Sequence, residues 1–163
     1  LENVPDLSDV NFMAEILTEL GAKVIRISSN SWSIIPSSIV HYAPYELVRK
    51  MRASICLLGP LVARLKRAEI PMPGGCVIGN RPIDLHVRAL EALGAKVQLS
   101  GGVVKVDGKN ISGNSVFIGG RHGSTVTGTA NALMLAVLTP GSTVLEGCAC
   151  EPEITDLCRM LES

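Results

Sequence analysis

The chain has 163 residues, 47% of them hydrophobic and 18% charged, and its 15 lysines and arginines balance 15 acidic residues. This length and composition suffice for a globular domain with a substantial core. The formal net charge of zero disfavours a nucleic-acid binder with a broad basic field but leaves room for a local cationic pocket, so a small-molecule partner is favoured. The longest apolar stretches, SIVHYAP and ALMLAVL, fall short of the ~20 residues that span a bilayer, which argues against a membrane partner.

The first predicted elements form a unit that occurs twice. Residues 3–24 (NVPDLSDVNFMAEILTELGAKV) are echoed by residues 80–97 (NRPIDLHVRALEALGAKV). In each copy, apolar residues at helical spacing predict a helix that a glycine ends, Gly21 in the first copy and Gly94 in the second. A strand follows each glycine, and then a turn and a second strand follow. Both copies therefore predict a helix and a β-hairpin.

Further elements lie between and after these units. Residues 44–67 predict helices interrupted at Gly59-Pro60, and residues 127–138 predict a helix followed by a strand over 142–147. Residues 151–163 start a third helix, which stops where the other copies approach their glycine. We therefore expect a truncated or excised piece of a longer chain. The expected fold class is α/β, with helices packed against sheets in repeated units.

The five cysteines show no disulfide or metal-binding framework. They form an odd set without CxxC pairs, which fits a reducing compartment and a cytoplasmic protein. The first residues, LENVPDLSD, have neither the basic start nor the apolar core of a signal peptide. Cys148 and Cys150 have no histidine at zinc-finger spacing. We expect no metal and no other cofactor.

One glycine-rich stretch, MPGGCVIGNRPIDLH at residues 72–86, concentrates side chains suited to chemistry. Its glycines permit positive φ angles and close approach of the backbone to a ligand. Arg81 stands beside a predicted helix N-terminus, which attracts anions, and Pro82 suits the first turn of that helix. These residues predict a phosphate site. The same positive surroundings lower the pKa of Cys76 relative to a thiol in an apolar core.

Spacing alone also allows a plainer interpretation of this stretch. Cys76 and Arg81 would then lie in a surface turn without a ligand, Asp84 would only complement the helix dipole, and His86 would be a packed ring. The stretch matches neither the GxxxxGK[ST] nor the GxGxxG phosphate-binding pattern.

Four segments of the chain carry a family resemblance. They are MRASICLLGPLVAR (51–64), PMPGGCVIGNRPIDLH (71–86), LEALGAKV (90–97) and EPEITDL (151–157). Together they resemble the UDP-N-acetylglucosamine enolpyruvyl transferases (1-carboxyvinyltransferases), which catalyse the first committed step of peptidoglycan synthesis. The resemblance implies an inside-out α/β barrel of repeated βαβαββ units in two domains. We expect residues 1–163 to form a single domain, most of the loop-bearing one, and to be inactive without the other.

The resemblance also implies a role for each site residue. Cys76 matches a loop cysteine that donates a proton to C3 of phosphoenolpyruvate, can form a covalent adduct with it, and is alkylated by fosfomycin. Arg81 matches an arginine that contacts the phosphate of phosphoenolpyruvate, and Arg52 matches a residue of the UDP-N-acetylglucosamine site. The residues that match the remaining lining of that site are Arg81, Pro82, Ile83, Asp84 and Leu85. The expected partners are these two substrates, the second domain and fosfomycin.

Residues 119–131 (GGRHGSTVTGTAN) are a second candidate segment of the nucleotide-sugar site. The family places contacts to the UDP-sugar here but commonly reads SVGATEN where this chain has TVTGTAN at 125–131. Two other hypotheses stay open. One is a non-catalytic nucleotide-sugar binding module that uses Arg52, Arg81 and this segment. The other is a fold relative, such as an enolpyruvylshikimate-phosphate synthase, which lacks the PGGC loop, or an RNA-phosphate cyclase.

Overall fold

A computed structural model describes residues 1–73, 82–121 and 123–163 of the chain. The helices in this part are α1 (Ser8–Glu19), α2 (Tyr45–Val48), a 3-10 helix (Arg52–Leu57), α3 (Leu58–Leu65), α4 (Asp84–Ala92), α5 (Val126–Ala136) and α6 (Pro152–Glu162). The strands are β1 (Ala22–Arg26), β2 (Trp32–Pro36), β3 (Arg67–Pro71), β4 (Lys96–Ser100), β5 (Val103–Asp107), β6 (Ser115–Phe117) and β7 (Val144–Glu146). None of the helices in these ranges is both long enough and apolar enough to cross a membrane.

The predicted repeat is present as two copies of the same unit. α1 leads into the antiparallel pair β1 and β2, and α4 leads into the antiparallel pair β4 and β5. Gly21 (φ +98°) and Gly94 (φ +91°) end the two helices in the left-handed region. A side chain would be strained there, and a Cβ at either position would overlap a backbone carbonyl oxygen, that of Ser38 or Asn110. The helix-and-hairpin prediction is confirmed in both copies.

The strands form three small sheets. β1 pairs with β2, β5 lies between β3 and β4 in an antiparallel sheet, and β6 pairs with β7 in parallel. Side chains alternate along β5, where Val104 and Val106 are buried while Lys105 and Asp107 are exposed. One face of this sheet therefore covers the core and the other meets solvent.

The core lies between α3 and α5 and the sheets around them. Leu58, Leu61 and Val62 of α3, and Ala132 and Leu135 of α5, are at most 5% exposed. These two helices pack directly against each other, while each sheet keeps exposed positions. Helices inside and sheets outside are the arrangement that the family resemblance implies, and the α/β class is confirmed.

Residues 44–67 differ from the prediction. The helical run breaks at residues 49–51, between α2 and the 3-10 helix, whereas Gly59 and Pro60 lie inside the first turn of α3. The first N–H groups of a helix have no acceptor within it, so Pro60 removes no helical hydrogen bond at that place. Lys66, at φ +59°, ends α3 in the left-handed region. β3 follows at once, a strand that the sequence does not predict.

Candidate functional site

Two helices begin side by side in the region of the predicted site. His86 is the third residue of α4, and Thr127 is the second residue of α5. Nε2 of His86 lies 3.0 Å from Oγ1 of Thr127, so a hydrogen bond joins the two first turns. The free N–H groups and the dipole at a helix N-terminus attract anions. The structure therefore brings two such termini together.

The loop that leads into α5 lies against α4. Gly120 and Gly123 exchange backbone hydrogen bonds of 2.8 and 3.1 Å, and Nη2 of Arg88 on α4 donates to the carbonyl oxygen of Gly119 at 2.8 Å. A Cβ on Gly120 would come within 3.0 Å of Cδ1 of Leu85. The two segments that resemble the nucleotide-sugar site, residues 82–85 and 119–131, are thus in direct contact.

Four of the predicted site residues lie at the start of α4. Ile83 is buried, Leu85 is half-buried, and Pro82 and Asp84 are exposed. The sequence predicts Pro82 in the first turn of this helix, but α4 begins at Asp84, so Pro82 precedes the helix. The reason is the backbone of Ile83, whose φ of −104° and ψ of 15° are not helical, while its side chain enters the core.

The other three predicted site residues divide into two groups. Arg52 is the first residue of the 3-10 helix and is half-buried. Cys76 and Arg81, the predicted acid and phosphate ligand, lie outside the described residues. Their roles stay predictions.

The electrostatics of His86 connect Arg52 with the start of α4. Burial, at 3% exposure, is the main cause that lowers the pKa of this imidazole from 6.5 to about 4. The positive charge of Arg52 lowers the pKa further, and the carboxylate of Asp84 raises it. Both predicted site residues therefore lie within electrostatic reach of the ring, which is neutral near pH 7. The plainer sequence interpretation of His86 as a packed, hydrogen-bonded ring is confirmed.

Asn131 on α5 holds the segment that carries Arg52. Its Nδ2 donates to the carbonyl oxygen of Ile55 in the 3-10 helix at 3.0 Å, and its Oδ1 accepts a hydrogen bond from the N–H of Gly59 at 2.7 Å. The side chain is almost completely buried, so both bonds form in a low-dielectric environment. The sequence alone does not predict this role of Asn131, although a single amide in the mostly apolar helix α5 is a recognisable signal.

Two of the cysteines in the described part of the chain are poorly suited to act as nucleophiles. Burial raises the pKa of the Cys56 thiol to about 11. Burial also raises the pKa of Cys148, with smaller contributions from Cys150 and Cys158. Because the thiolate is the reactive form, these environments contrast with the one predicted for Cys76.

A surface depression of about 550 Å³ lies away from these residues, on the outer face of the sheet formed by β3, β5 and β4. Its charges alternate across the strands, with Asp107 paired in register between Arg67 and Lys96. Such cross-strand pairs stabilise an exposed sheet face and need no ligand to explain them. Within residues 1–73, 82–121 and 123–163, no group of three or more His, Cys, Asp or Glu side chains could hold a metal ion.

Comparison with known proteins identifies relatives along the whole chain. Residues 1–163 match the family model of EPSP synthase (3-phosphoshikimate 1-carboxyvinyltransferase). UDP-N-acetylglucosamine 1-carboxyvinyltransferases from Akkermansia muciniphila and Methylacidiphilum infernorum are each 51% identical, over 99% and 100% of this chain, and the chain covers 38% of either relative. It thus spans little more than a third of the length of these curated relatives.

Solved structures show the same fold at low sequence identity. The enolpyruvyl transferase NikO from Streptomyces tendae superposes with a TM-score of 0.82 at 20% identity, covering 99% of this chain and 38% of that protein. EPSP synthase from Acinetobacter baumannii superposes with a TM-score of 0.65 at 14% identity, covering 90% of this chain and 34% of that protein. The predicted enolpyruvyl transferase fold is confirmed. With the family match over residues 1–163, the chain belongs to the EPSP synthase family of 1-carboxyvinyltransferases.

Proposed function

We propose that this chain supplies the loop-bearing domain of an enzyme that transfers the enolpyruvyl group of phosphoenolpyruvate to the 3-hydroxyl of UDP-N-acetylglucosamine. The observation that carries the proposal is the contact between the two predicted nucleotide-sugar segments, Leu85 against Gly120 and His86 against Thr127. The names of the relatives at 51% identity support this acceptor over shikimate phosphate. The role that follows is the first committed step of peptidoglycan synthesis. The odd number of cysteines, with no CxxC pair among them, favours the cytoplasm.

The surroundings of His86 suit a ligand that carries both negative charge and hydrogen-bond donors. The diphosphate of a UDP-sugar is an anion, which the N-termini of α4 and α5 and the positive charge of Arg52 would attract. The exposed carboxylate of Asp84 can accept hydrogen bonds from the N–H or O–H groups of a nucleoside. Charges of both signs within electrostatic reach of a neutral ring therefore suit such a ligand.

The proposed reaction is an addition followed by an elimination. Cys76 donates a proton to C3 of phosphoenolpyruvate while the 3-hydroxyl oxygen of the sugar bonds to C2 and releases its own proton to water. The Cys76 thiolate then takes a proton back from C3, the double bond between C2 and C3 forms again, the bond from C2 to the phosphate oxygen breaks, and inorganic phosphate leaves. Arg81 holds that phosphate, so the acid and the reacting carbon are positioned together. No metal or other cofactor takes part in this scheme.

A chimera tests the proposal. In the Akkermansia muciniphila relative, the segment that aligns over 162 residues is replaced by this chain, and phosphate release is measured with both substrates. We expect release that requires UDP-N-acetylglucosamine, is abolished by Cys76→Ala and strongly reduced by Arg81→Ala. Lys23→Ala, on β1 outside the proposed site, is the matched control and should leave the rate unchanged.

The outcomes separate the competing functions. A folded chimera that binds UDP-N-acetylglucosamine but releases no phosphate would favour a non-catalytic nucleotide-sugar module. A folded chimera that accepts shikimate 3-phosphate and not UDP-N-acetylglucosamine would overturn the proposed acceptor.

A further inference from the structure

The hydrogen bond between His86 and Thr127 uses one ring nitrogen of the imidazole, and the described part of the chain offers no partner to the other. Nε2 lies 3.0 Å from Oγ1 of Thr127. Nδ1 is also buried, and among the residues that the structure describes it has no hydrogen-bond partner. The ring is 3% exposed, so neither nitrogen can rely on bulk water. The position of the ring proton therefore decides which polar group stays unpaired.

The two neutral forms of the ring are not equivalent in this environment. A proton on Nδ1 would be a buried N–H donor without an acceptor among residues 1–73, 82–121 and 123–163. Folded proteins rarely tolerate such a donor, whereas an unpaired acceptor is found more often. A proton on Nε2 instead finds the oxygen of Thr127. That hydroxyl is on a half-buried residue, so its own hydrogen can turn toward solvent.

We propose that Thr127 is a positioning residue that fixes His86 in the form protonated at Nε2 and thereby aligns the first turns of α4 and α5. His86 and Thr127 are 41 positions apart in the chain, and within the part of the chain that the structure describes no other hydrogen bond joins these two turns directly. The bond sets the distance between Asp84 and Leu85 on one side and the start of α5 on the other. This functional consequence rests on the proposed nucleotide-sugar site.

The test is a nitrogen-15 NMR measurement of His86 in the 163-residue chain at pH 7. Long-range spectra distinguish a protonated from an unprotonated ring nitrogen. We expect Nε2 protonated and Nδ1 unprotonated in the unsubstituted chain and in Thr127→Ser, which keeps the hydroxyl. Thr127→Val has nearly the same shape without the hydroxyl and should give a mixture of the two forms, with shifted amide signals of Asp84 and Leu85.

Two results would overturn the proposal. One is an unsubstituted chain in which Nδ1 carries the proton. The other is a folded Thr127→Val variant with both ring nitrogens and the Asp84 and Leu85 amides unchanged. If Thr127→Val does not fold, the unsubstituted chain and Thr127→Ser still decide the question, because the expected form is defined without the valine variant.

Titration of the chimera, which supplies the second domain, with UDP-N-acetylglucosamine separates this proposal from the proposed function. If the site is correct, Thr127→Val should weaken binding at least fivefold, and Thr127→Ser should restore it. Equal affinity of the three proteins would contradict a positioning role at that site. Absence of binding to every protein would count against the proposed function on this chain, while the ring nitrogens would still report the role of Thr127.

Discussion

The N–H of Gly59 on α3 donates to Oδ1 of Asn131 on α5 at 2.7 Å, and the two backbones lie so close there that a Cβ on Gly59 would overlap the carbonyl oxygen of Asn131. The same amide reaches Ile55 in the 3-10 helix. One side chain of α5 therefore fixes both the start of α3 and the segment that carries Arg52. Through this contact the packing of the core positions a residue of the proposed site.

Replacing Asn131 should be costly because two buried backbone groups would lose their partners. Each buried group left unpaired costs about 1 to 3 kcal/mol, so we expect Asn131→Ala to lower the free energy of unfolding by about 3 kcal/mol. The measurement is urea unfolding of the chain followed by circular dichroism. Asn114 is the matched control, since it also makes two hydrogen bonds but is exposed. Asn114→Ala should cost less than about 1 kcal/mol, and an equal cost for both would contradict the explanation.

Replacing Gly59 tests the close approach of the two backbones. In an unobstructed helix, alanine is about 1 kcal/mol more favourable than glycine. The overlap with Asn131 should reverse this sign, and we expect Gly59→Ala to destabilise the chain by about 2 kcal/mol. Gly101→Ala provides a comparison without a steric clash, because a Cβ there meets nothing within 4 Å, although φ is +58°. A stabilising Gly59→Ala would show that α3 and α5 are not in this contact.

The lowered pKa of His86 predicts a specific loss of stability in acid. In the folded chain the pKa is about 4, against an ordinary value of 6.5, so between these values the unfolded chain binds the proton more readily. Stability is therefore complete above pH 6.5 and falls as the pH drops toward 4, by about 3 kcal/mol in total. The free energy of unfolding, measured from pH 7 to 4, should show this slope. His86→Gln should remove this loss of stability between pH 7 and 4. If the loss is the same in His86→Gln, His86 is not its cause.

Arg52 and Asp84 should act on His86 in opposite directions. Removing the positive charge with Arg52→Gln should raise the pKa of His86, and removing the negative charge with Asp84→Asn should lower it. NMR titration of the His86 ring measures both, and each variant serves as the control for the other. Shifts of the same sign would mean that the two charges do not face the ring as described.

Much of the fold follows from local signals in the sequence. Gly21 and Gly94 end their helices because the backbone must turn with a positive φ there, and this requirement is visible in the repeated LGAKV. Alternation of polar and apolar residues then identifies the hairpins. By contrast, the break at residues 49–51 and the strand β3 have weak local signals. Tertiary packing determines where this helix break and this strand lie, because packing often overrides the secondary-structure propensity of individual residues.

The site was less predictable because its contacts join distant parts of the chain. The hydrogen bond between His86 and Thr127 spans 41 positions, and that between Gly59 and Asn131 spans 72. No spacing pattern in a single sequence reports such pairs. The family resemblance predicts that residues 82–85 and 119–131 belong to one site, whereas the contacts of Thr127 and Asn131 emerge only from the structure.

Fosfomycin labelling of the active chimera tests the central claim, a transferase site built around Cys76, most directly. After incubation with and without UDP-N-acetylglucosamine, peptide mass spectrometry identifies which of this chain's five cysteines carries the added mass. We expect one adduct, on Cys76, increased by the nucleotide sugar and absent from Cys76→Ala. Cys56 and Cys148 should stay unmodified because their pKa values are raised. Equal labelling of several cysteines, or no adduct on Cys76 in a chimera that releases phosphate, would contradict the account.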